Sequence, residues 1–190
     1  DWIGTEQGLS LFDGKTFRNY TRQNGLSSNA IRVLYLDKTG NNLWIGTHGG
    51  GLNHLDIQNR TIKTYTEKDG LSNNYISSIA VDSDNNMWIG TLRGLNRFDR
   101  NRFEVFTRQN GLSGETIRDI LPGDEGVLWI AFNDSGLNLF NYHSNTITHF
   151  NRRHGLISDT IYKIIHDHQG SLWLSSDKGI FSLSVSELYQ

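Results

Sequence analysis

The chain contains no cysteine, a single proline and a single methionine in 190 residues. Without cysteine there is no disulfide, no thiolate metal site and no cysteine nucleophile. Also missing are an apolar run near the roughly 20 residues that a membrane helix needs and the apolar core of a secretory leader. There is no basic stripe: 18 Lys and Arg are scattered among 20 Asp and Glu for a net charge of -2. That balance argues against a nucleic-acid partner.

Catalytic and metal signatures are equally thin. No Gly-x-Ser-x-Gly nucleophile motif occurs, and no paired carboxylates can be placed. Gly14-Lys15-Thr16 has Leu9 where a phosphate loop needs its first glycine. Asp82-Ser83-Asp84-Asn85-Asn86 opens like a calcium loop but puts Met87 and Arg93 where glycine and glutamate are required. His166 and His168 have no identifiable third ligand. The sequence therefore predicts no catalytic residue, no metal and no cofactor.

What the chain has in quantity is glycine, 20 residues, and a regular spacing of tryptophan. Residues 41–55, NNLWIGTHGGGLNHL, read as a strand, a glycine turn and a second strand. The centre of that stretch recurs as Trp2-Ile3-Gly4-Thr5, Trp44-Ile45-Gly46-Thr47, Trp88-Ile89-Gly90-Thr91, Trp129-Ile130-Ala131-Phe132 and Trp173-Leu174-Ser175-Ser176. These are all the tryptophans, at intervals of 42, 44, 41 and 44 residues. A steady period in this range marks a repeat architecture.

One full unit contains four short strands joined by polar turns, an antiparallel meander, and eighteen strands are expected in all. Between units runs a second recurrent stretch, Gly25-Leu26-Ser27-Ser28-Asn29, with counterparts at Gly70, Gly111 and Gly155. It follows the polar outer strand and precedes the most apolar one, so it is the crossing from sheet to sheet. Four-stranded sheets of this length, each handing on to the next, are blades of a β-propeller. The expected fold is all-β, one propeller segment over 1–190. Its units are 1–24 (lacking the first strand), 25–69, 70–110, 111–154 and 155–190 (lacking the fourth), an incomplete ring of about four and a half blades.

The fixed positions of the repeat take structural roles. Trp2, Trp44, Trp88, Trp129 and Trp173 are expected to fill the gaps between blades. Gly8, Gly51, Gly94, Gly136 and Gly179 precede the third strand, where a turn calls for positive φ. Positions that vary between copies are free to act locally. On the face where the crossings and the turns between second and third strands emerge, they include His48, Arg93, Asn133, Asp134, Asp177 and Lys178, with Arg152 from a crossing. Mixed donors and acceptors beside aromatic rings suit a small molecule or a neutral or anionic oligosaccharide.

The pattern N-x-L-W-I-G-T-x-x-G-G-L-x-x-x-D, followed by Y-T-x-x-x-G-L-S-x-N-x-I, resembles the two-component regulator propeller repeat across essentially the whole chain. Ala131-Phe132, Ser175-Ser176 and Pro122-Gly123 depart from it. The resemblance implies a bacterial sensor segment, non-catalytic in itself, on the periplasmic or extracytoplasmic side of an inner-membrane signalling protein. Its partners would be the rest of the propeller and downstream two-component or diguanylate-cyclase modules. Starting inside a repeat, the chain reads as part of something longer, and self-association through exposed blade faces is expected. Two other classes compete: a propeller enzyme of the streptogramin-lyase type and a protein-binding scaffold.

Overall fold

The structure, a computed structural model, describes residues 1–188; residues 189–190 of the fifth unit lie outside them. It contains eighteen strands in five antiparallel sheets. The first sheet is β1 (Trp2–Thr5), β2 (Gly8–Phe12) and β3 (Phe17–Tyr20). The second is β4 (Ile31–Leu36), β5 (Asn42–Thr47), β6 (Leu52–Asp56) and β7 (Thr61–Tyr65). The third is β8 (Ile76–Val81), β9 (Met87–Thr91), β10 (Gly94–Phe98) and β11 (Phe103–Phe106). The fourth is β12 (Ile117–Pro122), β13 (Val127–Phe132), β14 (Leu137–Asn141) and β15 (Thr146–Phe150). The fifth is β16 (Ile161–His166), β17 (Ser171–Ser176) and β18 (Gly179–Ser184), followed by one turn of helix, α1 (Val185–Leu188).

Every sheet is a meander with strands in chain order. The core is not one body but four apolar layers, each between consecutive sheets. Strand period two feeds these layers alternately. On β5, Leu43 and Ile45 face the layer shared with the first sheet, while Trp44 faces the layer shared with the third. On β9, Met87 and Ile89 face back and Trp88 faces forward. A strand buried on both sides has no polar face to show, so β5, β9 and β13 read as near-continuous apolar runs. The glycine of Trp-Ile-Gly-Thr lets the neighbour come close: a Cβ on Gly46 would stand 2.6 Å from Cγ2 of Ile76 in the next sheet.

The two ends of the stack differ from its middle. Trp44, Trp88 and Trp129 are buried, whereas Trp173 is 46 % exposed and Trp2 is half-buried. The expectation that Trp173 fills a gap is corrected here, because no described sheet packs on its outward face. Ile3 and Phe17 on the first sheet and Ile165 and Ile180 on the last are exposed for the same reason.

The crossings are short 3-10 turns at Arg22–Asn24, Glu67–Asp69, Arg108–Asn110 and Arg152–His154, each with a reciprocal capping box and a left-handed glycine at its end. Each of the first three crossings that enter a complete sheet is pinned by a buried asparagine on that sheet's third strand. Asn53 accepts from the Ser27 amide (3.0 Å) and donates to its hydroxyl (2.7 Å). Asn96 repeats this with Ser72 and Asn138 with Ser113. In the fifth unit both partners change together, to Ile157 and Phe181.

Turns within sheets use carboxylates. Asp13, Asp56 and Asp99 accept backbone amides of the following hairpin, and those hydrogen bonds hold all three carboxyls below the ordinary range. The glycine before the third strand has positive φ in all five units: Gly8, Gly51, Gly94, Gly136 and Gly179. Its surroundings differ, however. A Cβ on Gly51 would lie 2.2 Å from the Tyr65 carbonyl oxygen, whereas one on Gly179 meets nothing within 4 Å. Gly51→Ala therefore combines backbone strain with a clash that only a backbone shift relieves, for an expected loss of about 2 to 4 kcal/mol, against about 1 kcal/mol for Gly179→Ala. Chemical denaturation of the two variants side by side checks the difference.

Candidate functional site

The first strands of the complete and C-terminal sheets share an irregularity. Pairing with the second strand slips by one residue between Ile31 and Val33, between Ile76 and Ser78, between Ile117 and Asp119, and between Ile161 and Lys163. Each slip is a β-bulge, which ejects one residue from the ladder and re-aims its side chain. The ejected residues are Arg32, Ser77, Arg118 and Tyr162. First strands of adjacent sheets also contact one another, β4 with β8, β8 with β12 and β12 with β16, so the four ejected residues converge.

They converge on an open cavity of about 350 Å³, whose lining also includes His48, Tyr75 and Leu92. The turns between second and third strands supply His48 and Leu92. The His48 amide donates to Ala30 (2.9 Å) and the Asn133 amide to Thr116 (3.0 Å), so equivalent turns are anchored in the same way at the strand entries. The His48 and Tyr75 backbones form an isolated β-bridge, and their rings meet edge to face at 4.6 Å.

The charges here are arranged unequally. Arg32 pairs with Glu6 at 3.1 Å. Arg118 donates from Nε (2.9 Å) and Nη2 (2.5 Å) to Oδ1 of Asn133, a neutral partner, and its guanidinium lies 5.9 Å from the Tyr162 ring centre. The Ser77 hydroxyl is buried without a hydrogen-bond partner among the described residues. The cavity thus presents two aromatic rings, an imidazole and a guanidinium with no carboxylate against it among the described residues. Among the described residues no cluster of three or more His, Cys, Asp or Glu could hold a metal ion.

Of the candidates drawn from the sequence, His48 lines this cavity and Asn133 reaches it through Arg118. Arg93, Asp134, Asp177, Lys178 and Arg152 stand outside its lining. Asp134 accepts from the Ser135 hydroxyl. Asp177 accepts a short hydrogen bond from Ser158 and lies 3.8 Å from Lys178. Arg152 begins a 3-10 turn, its amide on Asp159. Sequence reasoning missed Arg32, Tyr75, Ser77, Arg118 and Tyr162. A signal was present: the second residue of each first strand varies between copies, Arg, Ser, Arg, Tyr, directly after an isoleucine that all four share.

Consecutive four-stranded meanders, stacked through apolar layers with their first strands adjoining, define a β-propeller segment. Residues 25–49, 70–93 and 155–178 match the family described as Two component regulator propeller. Those three stretches of the chain are thus similar to that repeat. No curated protein matches the sequence. Among solved structures, the fold resembles the extracellular domain of BT3049 from B. thetaiotaomicron, assigned as a hybrid two component system, with a TM-score of 0.87 and 24 % identity over 98 % of this chain and 26 % of that one. It also resembles the extracellular domain of BT4673 from the same organism, assigned as a one component system, with a TM-score of 0.77 and 24 % identity over 96 % of this chain and 29 % of that one. The computationally designed Ika8 protein shares the fold at 12 % identity, with a TM-score of 0.69 over 97 % of this chain and 54 % of that one. The chain spans little more than a quarter of the length of the two B. thetaiotaomicron structures.

Proposed function

We propose that this segment is the ligand-receiving part of an extracytoplasmic bacterial sensor, that it is not itself catalytic, and that the cavity at the strand entries is where a small molecule or short oligosaccharide binds. The observation that carries the reading is the set of four bulges. The same backbone device recurs in each sheet that has a first strand, yet the residue it ejects is not fixed: arginine twice, serine once and tyrosine once. A purely structural device would repeat its side chain as the tryptophans do. Tyr75 and Tyr162 supply faces for a sugar ring, and Arg118 and His48 supply polar contacts. The repeat family and the two extracellular neighbours support a place outside the cytoplasm, and no helix among the described residues is long and apolar enough to cross a membrane.

Calorimetric titration with a panel of oligosaccharide fragments, with chromatography of the recovered sugars, tests the reading. Saturable binding without consumption is expected, weakened at least about tenfold by Tyr162→Ala, equivalent to about 1.4 kcal/mol. Consumption of any fragment overturns the non-catalytic assignment. Binding that ignores Tyr162→Ala removes the cavity as the site.

A further inference from the structure

Resting on that reading, we propose that the cavity selects ligands carrying a carboxylate, of the acidic-sugar class, and that Arg118 is the residue that reads the charge. The two arginines ejected by bulges are in opposite states. Arg32 already has its counter-ion, Glu6, at 3.1 Å. Arg118 has none among the described residues: its partners are the amide oxygen of Asn133 and the face of Tyr162.

Those partners fix the guanidinium without neutralising it. Asn133 engages Nε and one side of Nη2, leaving the Nη1 and Nη2 end of the fork open, the edge that takes a carboxylate through two parallel hydrogen bonds. An arginine held in place before the ligand arrives loses less side-chain freedom on binding than one swinging in solvent. The backbone of Asn133 is itself anchored, its N–H donating to the Thr116 carbonyl. Its role is therefore positioning, while Arg118 makes the contact.

The remaining lining specifies what carries the charge. A bare inorganic anion would use Arg118 and leave Tyr75, Tyr162 and Leu92 idle. A ring with an apolar face covers the aromatic walls and puts its hydroxyls within reach of His48. With about 350 Å³, the cavity lies at the small end of ligand pockets, roughly 300 to 1,000 Å³, which suits one or two sugar units. A ligand with two adjacent negative charges gains little more, because Arg32 must first be parted from Glu6.

The probes are digalacturonic acid and its neutral counterpart galactobiose, titrated calorimetrically into the wild-type chain and into Arg118→Gln, Arg118→Lys and the control Arg108→Gln. The acid is expected to bind at least about tenfold tighter than the neutral sugar, as a charge-assisted pair predicts. Arg118→Gln should abolish the preference, bringing the acid down to the level at which the same variant binds the neutral sugar. Arg118→Lys, which keeps the charge but not the fork, should recover only part of the difference, and Arg108→Gln should match wild type. Arg118 is exposed, so an unchanged thermal midpoint is expected for each of its variants. Equal binding of the two sugars, or an Arg118→Gln variant that still prefers the acid, overturns the proposal and leaves the cavity standing as a neutral-ligand site. Binding of neither sugar overturns the proposal, and silence across the whole fragment panel overturns the sensing reading with it.

Discussion

Trp88→Ala is expected to be the most damaging single truncation in the chain, lowering stability by about 3 to 5 kcal/mol. Trp88 is fully buried. Its ring meets Phe106 in its own sheet and Phe140 and Tyr142 in the next, with the Arg97 guanidinium 5.8 Å from its ring centre. Its indole N–H donates to Asp82 at 2.7 Å. Removing it opens a void in the layer between the third and fourth sheets and takes a donor from a buried carboxylate. Stacked sheets touch only their neighbours, so the loss should split the stack at that layer rather than soften it evenly. The matching variant at the end of the stack, Trp173→Ala, should cost about 1 kcal/mol or less, since that ring is half in solvent and its N–H bond to Asp167 is long, 3.3 Å. Denaturation midpoints, with hydrogen exchange to locate the opening, distinguish the two. Equal losses would mean that the tryptophans act within their own sheets and not between them.

Asn96→Ala should follow, at about 2 to 4 kcal/mol, although it removes only a small polar side chain. Asn96 is fully buried. It accepts from the Ser72 amide at 2.8 Å, donates to the Ser72 hydroxyl at 2.8 Å and to the Ile89 carbonyl at 3.2 Å. Truncation leaves the Ser72 amide without this acceptor, and each orphaned buried group costs about 1 to 3 kcal/mol. A double-mutant cycle with Ser72→Ala should show a coupling of about 1 kcal/mol, because the hydroxyl half of the clamp can be lost only once. Simple additivity would show that the crossing is held by its 3-10 turn and capping box alone.

Much of the fold was legible because its strongest signals are local. The tryptophan interval, the glycine before each third strand and the carboxylates at the hairpins each act within a few residues of where they are written. The eighteen strands were readable for that reason. The Asn–Ser clamp spans 24 to 26 residues and shows only when copies are laid side by side, where Asn53, Asn96 and Asn138 match Ser27, Ser72 and Ser113, and both are lost together in the fifth unit. The exposure of Trp173 depends on what packs beyond it, which no motif encodes. The site was the least legible part. A bulge adds a residue to one strand with no turn or glycine to announce it, so Arg32 and Arg118 looked like interruptions in a buried strand. In three dimensions they lie beside His48, which was picked out, and leave Arg152 and Asp177 on other ground.

Because a bulged residue sits outside the hydrogen-bonded ladder, exchanging it does not flip the alternation of the strand that carries it. The three exposed cavity positions, Arg32, Arg118 and Tyr162, can therefore be rewritten one at a time, Tyr162 to a charged group for example, with little demand on the layers beneath. Specificity and scaffold are thereby separable in this chain, and a library varied at those three sites should keep its thermal midpoints while its ligand preferences diverge.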